Sequence, residues 1–160
     1  LAVPGNVNAC VEANISQDPE AADIMVRHGK DVTMIGLDVT LQTLLTYEET
    51  RKWREFGTPA GQLLADATDY YIKAYETTAP ELGGCGLHDP LAVGVAIDPT
   101  LVTLLPINLK VDLEGPTRGR TIGDENRMGE STTTRVAVAV DAPRFLTEFM
   151  TRVGKVAAGL

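Results

Sequence analysis

The chain has 160 residues, 44% of them apolar, with a mean hydropathy near zero and a formal charge of −8. That length fits one domain, residues 1–160, able to bury a sizeable core. The acidic balance, with basic residues scattered rather than in runs, argues against nucleic acid or an anionic membrane as partner, since both demand clustered Lys and Arg.

The opening, Val3-Pro4-Gly5-Asn6-Val7-Asn8, reads as an irregular loop of turn residues. In Cys10-Val11-Glu12-Ala13-Asn14-Ile15 the two polar side chains would share a face of an extended segment and diverge on a helix. Asp18-Pro19-Glu20 then supplies an N-cap, a first-position proline and a first-turn acid, opening a helix that stops at Gly29. Val32 to Leu37 reads as a short buried strand of a parallel sheet, and Asp38-Val39-Thr40 begins a functional-looking edge at its carboxyl end. A short helix is expected from Tyr47 to Phe56. A longer one follows Thr58-Pro59, with Leu63, Leu64, Ala67, Tyr71, Ala74 and Thr78 at amphipathic spacing.

Pro90 to Ile97 is expected as a helix buried on most sides, ended by Asp98-Pro99. Leu104 to Leu113 alternates apolar and polar residues, which predicts one strand with an exposed face. Glu114-Gly115-Pro116 turns the chain, and Thr117 to Ile122 is the expected returning partner, giving a β-hairpin near residues 104–122. Asp124 to Ser131 reads as a mobile polar loop, Thr133 to Val140 as a strand, and Asp141-Ala142-Pro143 as the start of the last helix. Mixed helices and strands without repeats predict an α/β fold, a mainly parallel sheet flanked by helices.

Chemistry concentrates at Gly83-Gly84-Cys85-Gly86-Leu87-His88-Asp89-Pro90. His88 can exchange protons near neutral pH, and Asp89 can bind a cation or accept from hydroxyls. Pro90 suits the first position of a helix. The plain alternative makes Asp89 an N-cap and His88 a loop residue. Asn6, Glu12 and Asn14 are amides beside a carboxylate, a set suited to a polyhydroxylated ligand; a hydrogen-bonded turn is the alternative. Tyr71 and Tyr75, one helical turn apart, read either as packing or as ligand contacts.

The combination resembles the inosine-uridine preferring nucleoside hydrolases. The resemblance is carried by Gly5-Asn6-Val7, Glu12-Ala13-Asn14-Ile15, Asp18-Pro19-Glu20-Ala21-Ala22 and Thr33-Met34-Ile35-Gly36-Leu37-Asp38-Val39-Thr40. It continues through Leu87-His88-Asp89-Pro90, Ile97-Asp98-Pro99 and Thr117-Arg118-Gly119. It implies cleavage of the N-glycosidic bond of a ribonucleoside by a water that Ca²⁺ activates, through an oxocarbenium-like transition state. On this resemblance His88 is the general acid for the leaving base and Asp89 a calcium ligand that also touches the ribose. Asn6, Glu12 and Asn14 hold ribose hydroxyls, and Tyr71 and Tyr75 belong to a flap over the base. Homo-oligomers, dimers or tetramers, are also implied.

Two departures stand out. Ala13 occupies a place where the family usually has an aromatic residue. The family's aspartate-rich D-x-D-P-G-x-D-D type motif, which supplies most calcium carboxylates, is absent. Asp89 alone cannot hold Ca²⁺, which takes about six to eight oxygen ligands. The chain, which begins with Leu, therefore reads as a carboxyl-terminal half with little activity of its own. Alternatives are a non-catalytic remnant, or an unrelated metal hydrolase in which His28 is the one other histidine. Two cysteines without framework or finger spacing, and no apolar run long enough for a bilayer, lead to a cytoplasmic expectation.

Overall fold

A computed structural model describes residues 1–160. In chain order the elements are α1 (Ala13–Gln17), α2 (Pro19–His28), β1 (Val32–Met34), α3 (Leu37–Thr40), β2 (Leu44–Leu45), α4 (Tyr47–Glu55) and α5 (Pro59–Thr78). They continue with β3 (Cys85–Gly86), α6 (His88–Ile97), β4 (Val102–Pro106), β5 (Leu109–Val111), β6 (Thr121–Gly123), β7 (Thr134–Val140) and α7 (Ala142–Ala157). Short 3-10 turns lie between several of them. The chain forms two compact units, each from two separate segments: Leu1–Val39 with Val102–Val140, and Thr40–Leu101 with Asp141–Leu160. No helix is long and apolar enough to cross a membrane.

The first unit holds a three-stranded sheet in the order β1-β7-β4. β1 runs parallel to β7, with Val32 opposite Thr134, and β4 runs antiparallel to it, with Val102 opposite Val140. The α/β class stands, with a mixed sheet in place of a mainly parallel one. The alternation over 104–113 is not one strand. β4 ends at Pro106, the Thr134 hydroxyl donates to the Ile107 carbonyl, and β5 leaves to pair with β6. The expected hairpin is thus β5–β6, with its return shifted to Thr121–Gly123 behind a 3-10 turn at Gly115–Thr117. β1 is likewise shorter than expected, because Leu37 already begins α3.

The core of this unit is Val26, Leu109, Val111 and Val136, with Ile15, Met34 and Ile107 against it. α2 is placed by the Asp18 carboxylate, which accepts from the Ala21 N–H at 2.9 Å, with Pro19 at its first position. The expected mobile loop after β6 is instead pinned from inside. Buried Asn108 donates to the carbonyls of Arg127 and Ser131 and accepts from the Thr133 N–H, and the Asp124 side chain is fully enclosed against Arg27 at 2.8 Å.

In the second unit α4, α5, α6 and α7 pack around Trp53, Ile72, Leu91, Leu101 and Phe145, with Phe149 against Trp53 and Phe145. Local signals place the helices. Thr46 and Glu49 form a reciprocal capping box at α4, the Thr58 hydroxyl accepts from the Gly61 N–H at α5, and Asp141 accepts from the Arg144 N–H at α7. α6 is buried on one side only. Leu91 and Val95 face the core, while Val93 and Ile97 are 60% exposed.

Candidate active site

The residues singled out in the sequence fall in both units: Asn6, Glu12 and Asn14 in the first, Tyr71, Tyr75, His88 and Asp89 in the second. In the second unit the β2–β3 ribbon sets the geometry. Leu44 pairs with Gly86 and Leu45 with Cys85, and the Leu87 N–H donates to the Thr43 carbonyl at 2.9 Å. This ties the residue before His88 to the turn that follows Thr40.

His88 is the first residue of α6, with Leu87 at the cap position and Pro90 third. Pro90 therefore does not open the helix, as its sequence context suggests, and Asp89 is no cap: it is the second helical residue, and its exposed side chain makes no hydrogen bond or ion pair within the chain. The half-buried imidazole is held at both nitrogens. Nε2 lies 2.6 Å from the Tyr75 hydroxyl, and Nδ1 lies 2.7 Å from the hydroxyl of buried Thr40. The Tyr75 ring stacks on the imidazole with centroids 6.4 Å apart and meets Tyr71 edge-on at 5.1 Å. Tyr71 and Tyr75 are thus brought to His88, and Tyr71 is 44% exposed.

Burial holds His88 below the ordinary histidine value, while the neighbouring Asp89 acts in the opposite direction. The amino end of a helix, with its partial positive charge, also disfavours an imidazolium. Burial likewise raises the Tyr75 phenol, helped by the adjoining Tyr71 hydroxyl, and pushes the Cys85 thiol up to about 11, so that Cys85 is an inert packing residue.

Gly86 is required by this arrangement. A Cβ there would stand 2.7 Å from His88 Cε1 and 2.8 Å from Nε2. Gly86→Ala is expected to swing the ring away and break both of its hydrogen bonds, at a stability cost of about 1–3 kcal/mol. Imidazole NMR together with thermal unfolding checks this; unchanged His88 signals would contradict it.

In the first unit Glu12 immediately precedes α1 and Asn14 lies within it, so the two diverge. Glu12 turns inward and accepts from the Leu37 N–H at 3.3 Å, beside Gly36. Burial raises its carboxyl above the usual value, and the Leu37 N–H acts against that. Asn14 is exposed, and Asn6 spends its side-chain oxygen on the Ala13 N–H at 2.9 Å. Asp38, which the sequence flagged only as part of an edge, accepts from the nitrogens of Leu1 and Ala2 at 2.6 and 2.7 Å. Burial alone would raise its carboxyl; those bonds outweigh it and hold it low. The cleft that Glu12 lines with Cys10, Arg120 and Thr121 has a volume of about 10 Å³, room for a single water.

A cation does not find its site in these residues alone. No three His, Cys, Asp or Glu side chains gather where they could hold a metal ion, and Asp89 offers one carboxylate against the about six to eight oxygens that Ca²⁺ takes.

In the second unit a half-buried imidazole is thus joined to two hydroxyls at the start of a helix, beside an exposed carboxylate. The chain belongs to the inosine-uridine preferring nucleoside hydrolase family, which it matches over residues 1–147. It is 37% identical over 160 residues to a probable uridine nucleosidase 2 of Arabidopsis thaliana, covering 95% of this chain and 49% of that protein. To the inosine-uridine preferring nucleoside hydrolase of Crithidia fasciculata it is 36% identical, over 88% of this chain and 45% of that one. A solved purine-preferring ribonucleoside hydrolase from Gardnerella vaginalis superposes with a TM-score of 0.96 at 69% identity, over 99% of this chain and 51% of that chain. The chain therefore spans about half the length of these relatives.

Proposed function

We propose that this chain serves the hydrolysis of the N-glycosidic bond of ribonucleosides, with water adding to the ribose carbon as the base departs. The observation that carries this reading is the pairing of His88 with Tyr75 at 2.6 Å beside exposed Asp89, in a member of this family. His88 is the source of the proton that the leaving base takes up. Because both ring nitrogens are engaged within the chain, that proton passes through the Tyr75 hydroxyl or follows a turn of the ring. Asn6, Glu12 and Asn14 are assigned to the ribose hydroxyls, Asp89 to the ribose, and the Tyr71 and Tyr75 rings to the base. The name of the 69% identical relative favours purine nucleosides; uridine and other pyrimidine nucleosides appear in the names of more distant ones. If calcium serves the reaction, Asp89 contributes one ligand and the others come from outside these 160 residues. Assembly as a homodimer or tetramer rests on the resemblance alone, and a cytoplasmic location on the two cysteines without a disulfide framework.

The chain by itself is accordingly proposed to be inactive. Ribose release from inosine and uridine tests this, with the chain alone and with the chain mixed with the amino-terminal half of the Gardnerella vaginalis relative. Cleavage is expected only in the mixture, and calcium titrated into the chain alone is expected to bind no tighter than about 1 mM. Turnover by the chain alone would overturn the assignment of missing ligands, and no turnover in the mixture would count against hydrolysis itself.

A further inference from the structure

Thr40 is 2% exposed, and its side-chain oxygen makes one hydrogen bond, to His88 Nδ1 at 2.7 Å. The two residues stand 48 positions apart, yet their backbones are locked together. The Thr40 carbonyl accepts from both the N–H and the hydroxyl of Thr43, at 3.2 and 3.0 Å, and the Thr43 carbonyl in turn accepts from Leu87 N–H. The β2–β3 ribbon continues that connection.

The direction of the Thr40 bond follows from counting donors. A neutral imidazole carries one N–H, on either nitrogen. If Nδ1 carried it, Thr40 would have to accept, and its own hydroxyl hydrogen, buried and without another acceptor, would be stranded at a cost in free energy. If Nε2 carries it, both buried donors are used: Thr40 O–H donates to Nδ1 and Nε2–H donates to the Tyr75 oxygen, while the Tyr75 hydroxyl hydrogen sits on a half-buried ring beside exposed Tyr71. Only this direction leaves no buried donor unpaired.

We infer that Thr40 is a positioning residue whose hydroxyl donates to Nδ1 and so fixes His88 in the Nε2–H tautomer, aimed at Tyr75. Its catalytic meaning rests on the proposed role of His88 as acid, but the tautomer does not.

The test is imidazole nitrogen NMR on the full chain near neutral pH. The chain has two histidines, and His28, exposed at the end of α2, serves as internal reference. His88 is expected to show the Nε2–H pattern in the wild type and in Thr40→Ser, and a mixture of both tautomers in Thr40→Val. An Nδ1–H pattern in the wild type would overturn the inference even if the valine variant failed to fold, and so would a Thr40→Val spectrum identical to the wild type. In a cleaving preparation, Thr40→Val is expected to lower kcat by about tenfold, the worth of one hydrogen bond, with KM little changed and Thr40→Ser restoring it. Unimpaired cleavage by His88→Ala would remove the acid role while leaving the tautomer assignment standing.

Discussion

Replacing His88 with alanine is expected to lower nucleoside cleavage by about 10²–10⁴-fold, the usual contribution of a positioned proton donor. The loss falls on kcat, because the ring's two hydrogen bonds are made to Tyr75 and Thr40 and none is required for holding the sugar. The pH profile carries a second signature. The acid form is the imidazolium, and burial places its midpoint on the acid side of the ordinary 6.5. Cleavage therefore falls as pH rises through that lowered value, and this limb disappears in His88→Ala. Stability runs the other way. With a depressed folded-state value the folded chain binds fewer protons than the unfolded one, so the contribution of His88 is complete above pH 6.5 and is lost as pH falls through its folded-state value. A variant that loses less than tenfold in kcat, or keeps the limb, would remove His88 from the proton path.

The second large effect is structural. Arg27→Ala leaves the Asp124 carboxylate, whose side chain is 0% exposed, without its cation. Removing one partner of a fully buried pair costs about 3–5 kcal/mol. Arg27 is itself 32% exposed, which places the expected loss at the lower end of that range. The same guanidinium grips Asp23, and Asp23 accepts from the Val111 N–H at 2.8 Å, so the damage reaches the packing of α2 on β5. Faster amide exchange at Val26 and Val111 is the expected readout. Adding Asp124→Asn, which withdraws the stranded charge, returns part of the loss. Exchange no faster than in the wild type would show that water already compensates the carboxylate.

Where a signal was local, it was legible. Asp18, Thr58 and Asp141 each announce a helix with a proline close behind, and each cap is formed. The pairing of His88 with Asp89 at the head of a helix was visible for the same reason. Thr40, by contrast, is named in the sequence only as part of an edge and receives no role there, because its partner lies 48 residues away and a hydroxyl advertises nothing in a pattern of apolar spacing. The break at Ile107 and Asn108 was hidden in the same way. The alternation continues through it unbroken, and what ends the strand is a hydroxyl from Thr134 and a buried amide that needs Arg127, Ser131 and Thr133. Asp124 to Ser131 looked mobile because it is polar, but those polar groups are the ones tied down. The one-sided burial of α6 was misread because its composition is apolar throughout, and composition does not say which face meets Phe145.

The discontinuous weave of the chain has a consequence for its synthesis. The segments of the first unit are complete once Val140 has been made, whereas the second waits for Asp141–Leu160, which carry Phe145 and Phe149 to Trp53. The imidazole and its hydroxyl partners, Thr40 and Tyr75, are translated long before that helix, so they spend the interval in a half-built core. A chain emerging at about 5–20 residues per second thus closes the unit around His88 only once α7 has followed the rest of it.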